Sequence, residues 1–529
     1  MKKCRKSALV FLSLAMVFSL LISCGSAADS PSGTPGTFTE DGQLVLPTGV
    51  EFVDDLVVIS DNNKFSVIDI DNPASNVLTN RWIDTLVYDT LVDCVAGKIV
   101  PSLAKSWETA DSKHFTFKLR DDVVFHNGEK FTAKDVIYSF QRHQAAKGTQ
   151  AYDNTKNIET MNAPDDYTIE FTTKDVDVDF LMELSNVYTS ILNQKAIDAD
   201  AEKGAWVGTG LWKIVGFASN DYVKFEVNSS YWGQATPTKK LTLKYVVEPS
   251  TRLIQLQNGE AQACFQLDQT DYQYAMADPA FRYETVTVNS SMYLAFNMND
   301  KITGDINFRK AVAAVINRAD MIQVAQAGFG EAPTDGSWWG IQTEFRNTDI
   351  PLIKQDIELA KEYLAKSSYK GEEVEIVAGN GDWVKHAQLA QAELQKIGVK
   401  IKIFQTDANG LFAYAKYDGN QAQMVAYVGP FSFSASSIKS FLYPGSVANR
   451  ASYNNQEVAK LIDQATVTID VVEREKLYKQ IQQIEADELP FIYLYARTTV
   501  FIEDKNVGGV RLSADATHDI SRIYMVKSK

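Results

Sequence analysis

Between Ala387 and Phe404 the hydrophobic period changes with almost no loop in between. Ala387, Ala390, Leu394 and Ile397 recur every three or four residues, as the inward stripe of an amphipathic helix does. Gly398 then stands where a helix can end in a left-handed residue. Val399-Lys400-Ile401-Lys402-Ile403-Phe404 follows and alternates like a half-buried strand. A helix that turns into a strand through one glycine is an α/β unit, and it restricts the chain to layered α/β architectures. Other stretches agree. Phe115, Phe117 and Leu119 alternate with Thr116 and Lys118, and further strands are predicted at 168–172, 222–227 and 241–247. Thr132 and Asp135 have capping-box spacing ahead of Val136, Ile137 and Phe140. Leu477, Ile481 and Ile484 mark another helix, before Pro490 and the strand-like Phe491–Tyr495. No internal repeat recurs, so the chain reads as mixed α and β.

The first residues say where the chain goes. Lys2, Lys3, Arg5 and Lys6 precede an apolar run from Ala8 to Ile22. That pattern predicts a secretory signal over 1–23, too short for the roughly 20 apolar residues of a membrane span. The run ends in Leu21-Ile22-Ser23-Cys24, which resembles a bacterial lipobox. The resemblance implies that Cys24 is lipidated and becomes the first mature residue, on a firm anchor because each buried methylene contributes about 0.8 kcal/mol. Residues 24–47 begin with Gly25-Ser26-Ala27-Ala28 and continue through Ser30-Pro31-Ser32-Gly33, so they read as a tether. An anchor with a tether implies a membrane-bound partner, on the extracytoplasmic face of the cell membrane or in the periplasm.

Charge and cysteine content exclude several functions. The net charge is −15, and loss of residues 1–23, with four basic and no acidic side chains, deepens it by four. Such a chain disfavours nucleic acid. Cys4 leaves with the signal and Cys24 is lipidated, which leaves Cys94 and Cys264 free to pair or not. His114, His126, His143, His386 and His518 have no metal-ligand spacing, so no metal is expected. There is no G-x-S-x-G elbow, no Walker loop and no G-x-G-x-x-G after a strand, so neither an enzyme nor a cofactor is expected. Most carboxylates read as a solvated face.

The order of segments resembles a known family, the extracellular solute-binding proteins of dipeptide, oligopeptide and nickel ABC importers (family 5). The matching blocks include Pro101-Ser102-Leu103-Ala104-Lys105-Ser106-Trp107-Glu108, Val124-Phe125-His126-Asn127-Gly128 and Phe131–Val136. They continue with Gly208-Thr209-Gly210-Leu211-Trp212, Ser250-Thr251-Arg252 with Gly259-Glu260, and Phe308-Arg309-Lys310 before Ile316-Asn317-Arg318. Val507-Gly508-Gly509 and Arg522-Ile523-Tyr524 close the series, which covers roughly residues 80–525.

The resemblance implies a two-lobed periplasmic-binding-protein-like fold, type II of the large three-domain variety, with mixed sheets and a hinge between lobes. Domain I is expected at 48–93, 193–297 and 499–529, domain II at 94–192 and domain III at 298–498. It implies a monomer that takes a small, peptide-like solute by hinge closure and delivers it to ABC permease subunits. A non-peptide solute, a sensor role or a hydrolytic enzyme on the same body stays open. His126 and Gly128 are expected in a strand-turn-strand element, Trp107 and Trp232 in packing, and Arg252 as a partnered cation.

Aromatic residues are expected to line the cleft, with Trp338, Trp339, Trp383, Tyr427 and Phe431 as the candidates. Trp338 and Trp339 lie between Gly336 and Gly340 in a predicted loop, and adjacent exposed tryptophans are costly unless something covers them. The alternative, that one or both pack against the lobe, stays open. In the peptide-binding branches an aspartate after the third domain's central strand takes the peptide's α-ammonium. Here Met424–Ser434 fills that stretch, and no aspartate occurs from Gly419 to Ile462. A buried ammonium needs a carboxylate, so free-amino peptides are expected to bind weakly unless another segment supplies one.

Overall fold

The computed structural model describes residues 38–39, 42–60, 65–75, 78–95, 97–267, 269–429, 432–446 and 448–528. Cys24 and the tether up to residue 37 lie outside them. The local signals became the expected elements. Phe115, Phe117 and Leu119 are the buried face of the strand His114–Leu119. Asp135 accepts from the backbone N–H and the hydroxyl of Thr132 at 2.8 and 3.0 Å and starts the helix Ala133–Ala145. The helix Asp382–Gln395 and the strand Lys400–Gln405 flank Gly398, whose φ of +83° is the left-handed value the stop requires.

Two strands dominate the architecture. Phe281–Phe296 and Phe491–Asp504 run antiparallel along their whole length. At one end Phe281–Phe296 joins Met424–Gly429, which leads on to the parallel strands Glu373–Ala378 and Lys400–Gln405. At the other end Phe491–Asp504 joins Ala263–Phe265, then Asp55–Ile59, Lys240–Lys244, Tyr222–Val227 and Trp212–Ala218. The result is one mixed sheet shared by two lobes, with the long pair as the crossing.

Alternation builds a core on each face of this sheet. Met292, Leu294 and Phe296 pack with Val374, Ile376 and Leu394, whereas Tyr293 and Ala295 face Val425, Leu442 and Ile481. Beyond the crossing, Phe501 packs with Leu56, Trp82 and Leu241, and Val500 and Ile502 with Leu253 and Leu256. A separate antiparallel sheet, Ala104–Glu108, His114–Leu119, Thr168–Thr173 and Ile158–Asp165, carries its own core against the helix Ala133–Ala145.

Several motif residues are structural, as expected. His126 Nε2 is 2.9 Å from the Gly210 carbonyl, and Gly128 sits at φ +87° beside the Val124–Lys130 bridge. Arg252 donates to the carbonyls of Val246 and Val247 at 2.7 and 3.1 Å.

Candidate functional site

A cavity of about 520 Å³ opens where the long strands cross. The helix Leu78–Val87 turns Arg81 and Thr85 toward it, while Trp82, one residue on, points into the core and donates from Nε1 to the Ala516 carbonyl at 3.1 Å. After that helix come Tyr88 and Asp89, and then Asp93 and Cys94 on the strand Val92–Val95. Ser185, Asn186 and Ser190 add a third wall, and Gln342, Ser432 and Phe433 a fourth. The last wall is the C-terminal segment 511–522, which contributes Arg511, Asp515, Thr517, Asp519 and Arg522.

Some of these charges are already committed. Arg511 pairs with Asp519 at 3.2 Å, and the guanidinium groups of Arg511 and Arg522 hold the Asp519 carboxyl below the usual range despite burial. Asp515 accepts from the Ser513 hydroxyl at 2.6 Å and the Thr517 N–H at 2.9 Å, which folds the segment on itself. Asp89 receives Thr209 Oγ1 at 2.8 Å, Trp232 Nε1 at 3.0 Å and Tyr231 OH at 3.4 Å. Burial still raises its carboxyl above the ordinary value, because three neutral donors do not replace full hydration.

Asn289, in the irregular part of the long strand, ties three walls together. Its Nδ2 donates to the Ser432 carbonyl at 2.7 Å, its Oδ1 accepts from the Gln342 N–H at 2.7 Å, and its N–H donates to the Ala514 carbonyl at 2.6 Å. Just beyond, Ser434 Oγ donates to Asp179 Oδ1 at 2.7 Å. The Phe433 ring comes within 3.9 Å of where a Cβ would stand at Gly97. These contacts join the loop after Met424–Gly429 to the part of the chain carrying the four-stranded sheet.

The aromatic residues expected in the cleft are placed differently. Trp338 and Trp339, expected in the cleft with packing against the lobe left open, are each only 1 % exposed and do not line the cavity, so both pack against the lobe. Trp338 packs on Phe491 with ring centroids 4.5 Å apart and on Phe441 at 5.5 Å, and Trp339 meets Tyr478 at 5.8 Å. The flanking glycines explain the burial. A Cβ at Gly336 would come 2.6 Å from the Pro351 carbonyl, and one at Gly340 2.3 Å from Asn289 Oδ1. They let the loop press into the lobe. Trp383 and Tyr427 do come together, at 4.9 Å and half-buried, with the Arg450 guanidinium 4.8 Å from the Tyr427 ring centre, but neither lines the cavity. Phe431 lies outside the described residues. The pairing left open for Cys94 and Cys264 is not made: Cys94 is a free thiol on the cavity wall, pushed up to about 11 by burial.

With the site in place, relatives can be compared. The model of bacterial extracellular solute-binding proteins, family 5 (middle region), matches residues 98–453. The chain belongs to this family. It is 28% identical over 452 residues to heme-binding protein A of Haemophilus influenzae, covering 77% of this chain and 81% of that one. It is 25% identical over 457 residues to the dipeptide-binding protein of Escherichia coli, covering 78% and 84%. Among solved structures, the substrate-binding protein CtaP of Listeria monocytogenes superposes with a TM-score of 0.80 at 21% identity, covering 90% of this chain and all of that one. DppA of Helicobacter pylori, in complex with the peptide STSA, superposes with 0.76 at 24% identity, covering 90% and 99%. The two-lobed fold is thus that of family 5 binding proteins.

Missed in the sequence were Arg81, Asp89, Asp93 and the charges of 511–522. The one available signal was the alternation of acid and base from Arg511 to Arg522 in a segment with neither helical nor strand period.

Proposed function

We propose that this protein is the extracytoplasmic receptor of an ABC importer, which captures a peptide-like solute in the cavity at the strand crossing and hands it to the permease. The observation that carries the reading is the cavity itself, walled by segments from residues 81 to 522. A solute touching several walls favours the closed form by its differential affinity for that form, and the irregular crossing absorbs the rotation. Binding names among the relatives, from dipeptide to glutathione, support an organic solute. No covalent step is assigned. The domain division expected from the resemblance, with boundaries near 93, 192, 297 and 498, accompanies this proposal.

Solutes released from the purified mature protein by denaturation and identified by mass spectrometry test it. A near-stoichiometric small peptide-like compound is the expected result. Turnover of that compound by the protein would instead make it an enzyme. The anchor belongs to the same proposal: Cys24→Ser is expected to move the protein from the detergent to the aqueous phase on partitioning, and a variant that still follows detergent would refute it.

A further inference from the structure

The two faces of the crossing differ. The first half of the strand Phe281–Phe296 is regularly paired, so its side chains alternate: Val286 faces the cavity, and Tyr283, Thr285 and Thr287 face the other way. Tyr283 is the partner of Ile502, which packs with Leu253 and Tyr272 in a core on that far face. The same core holds Ile59 and Cys264, so Tyr272, on the helix Gln269–Ala277, belongs to the lobe of Asp55–Ile59 and Ala263–Phe265.

Its ring meets a side chain from the other lobe. The helix Arg318–Gln326 packs Met321 and Ile322 into the core of Met292, Leu294 and Val374. Ala327 and Gly328 then take left-handed φ values of +49° and +88°, which end the helix and turn the chain back across the far face. Phe329 follows, its ring centroid 5.5 Å from that of Tyr272, and it is only partly buried against the core around Tyr272. Gly330 and Glu331 next pair with Arg497 and Ala496, and Glu331 accepts from the Thr287 hydroxyl at 2.6 Å. Phe329 therefore touches the opposite lobe behind the crossing. On the same face Tyr283 is 51 % exposed.

Rotation about an axis within the sheet moves its two faces in opposite senses. When the cavity walls separate, the far face closes on itself and covers more of Phe329 and Tyr283. When the walls draw together, that surface returns to water. Burying apolar surface stabilises whichever form buries it. We propose that the contact behind the crossing, Phe329 on Tyr272 with Tyr283 on the same face, favours the open form and so sets solute affinity from outside the cavity. The affinity part rests on the preceding reading that solute binds in the cavity; the effect on the solute-free protein does not.

Tyr283→Thr and Phe329→Ala in the mature full-length protein test it. Threonine keeps the strand preference at a half-exposed position, so Tyr283→Thr is expected to fold, which circular dichroism checks. Small-angle scattering of the solute-free proteins should show a smaller open fraction in both variants than in the parent. The compound released from the parent by denaturation should bind about three- to tenfold more tightly to each variant in calorimetry, because a solute that binds only the closed form gains whatever the open form loses. Loss of packing alone does not tighten binding, so a gain separates this role from a structural one.

Unchanged or increased opening in Tyr283→Thr would overturn the inference, and so would equal or weaker affinity in that variant. Should Phe329→Ala fail to fold, Tyr283→Thr alone decides. Should the parent release no compound, the preceding reading fails on its own, and scattering decides the inference: a smaller open fraction in Tyr283→Thr supports it, and any other result overturns it.

Discussion

Ser434→Ala tests how much of the closing energy the protein supplies itself. Ser434 is 7 % exposed, and its hydroxyl reaches Asp179 across a gap of 255 residues in sequence. The hydrogen bond is charge-assisted, a class with a net contribution of about 1.5–3 kcal/mol. On opening, water solvates both groups, so only part of that value separates closed from open; about 1–2 kcal/mol remains, a factor of roughly 5–30 in population. Ser434 also accepts from the Ser436 N–H at 3.2 Å, which starts the short turn Ala435–Ile438. That bond is local and present in both forms, so its loss cancels.

The expected result is a fall of roughly 5- to 30-fold in affinity for the co-purified solute, expressed mainly in the off-rate. Calorimetry and stopped-flow release measure it, and small-angle scattering without solute should show a larger open fraction. Asp179→Asn keeps an acceptor oxygen and should cost less. Affinity within twofold of the parent, together with unchanged scattering, would refute the view that this bond holds the lobes together.

Trp338→Ala should act on stability and not on recognition. Removing a ring packed against Phe491 and Phe441 costs about 3–5 kcal/mol; a lower urea midpoint with solute affinity retained in the folded fraction is the expected pair of results, and weakened affinity without loss of stability would restore the tryptophan to the cleft. Asp84 concerns pH. It is fully buried, neither carboxyl oxygen has a hydrogen-bond partner, and burial holds it well above the ordinary carboxylate range. The folded state therefore keeps a proton that the unfolded chain releases above about pH 4. Stability should fall as pH rises from there toward the folded-state value, by up to about 1.4 kcal/mol per pH unit. Asp84→Asn should flatten that fall in urea unfolding across a pH series, and parallel curves for the two proteins would refute it.

What could be read in the sequence was whatever a local period encodes. Phe115, Phe117 and Leu119 announce a strand because one face is wet, and Ala387–Phe404 announces a helix, a stop and a strand because each element repeats its own period. The long strand Phe281–Phe296 escaped because its pattern changes part-way: its first half is partly open, and from Val288 onward every residue is buried. Its middle, Val288-Asn289-Ser290-Ser291, looks like a loop and is the crossing. Trp338 and Trp339 stayed ambiguous between cleft and core because two flanking glycines signal equally a free turn and a backbone pressed against its neighbours. The site was the least legible part. Arg81, Asp93 and Arg522 look in sequence like any solvated charge, and only the fold brings positions more than 400 residues apart to one cavity.

The position of that cavity follows from the sheet. The pairing of Phe281–Phe296 with Phe491–Asp504 is regular from Phe281 to Thr287, shifts register before Ser291, and shifts again between Met292 and Tyr293. Irregular pairing bends and twists a ladder more easily than a continuous one, so rotation of one lobe against the other concentrates between Thr287 and Ser291. A group near that axis moves little on opening, whereas groups further out separate. Asn289 lies in this irregular stretch and bonds Ser432, Gln342 and Ala514, while Ser434 and Asp179 join segments outside it. Ser434–Asp179 is one hydrogen bond between the lobes, and Phe433 at Gly97 adds one apolar contact. Such contacts are too weak to hold the protein shut alone, so a solute bridging the walls decides the balance through its greater affinity for the closed form.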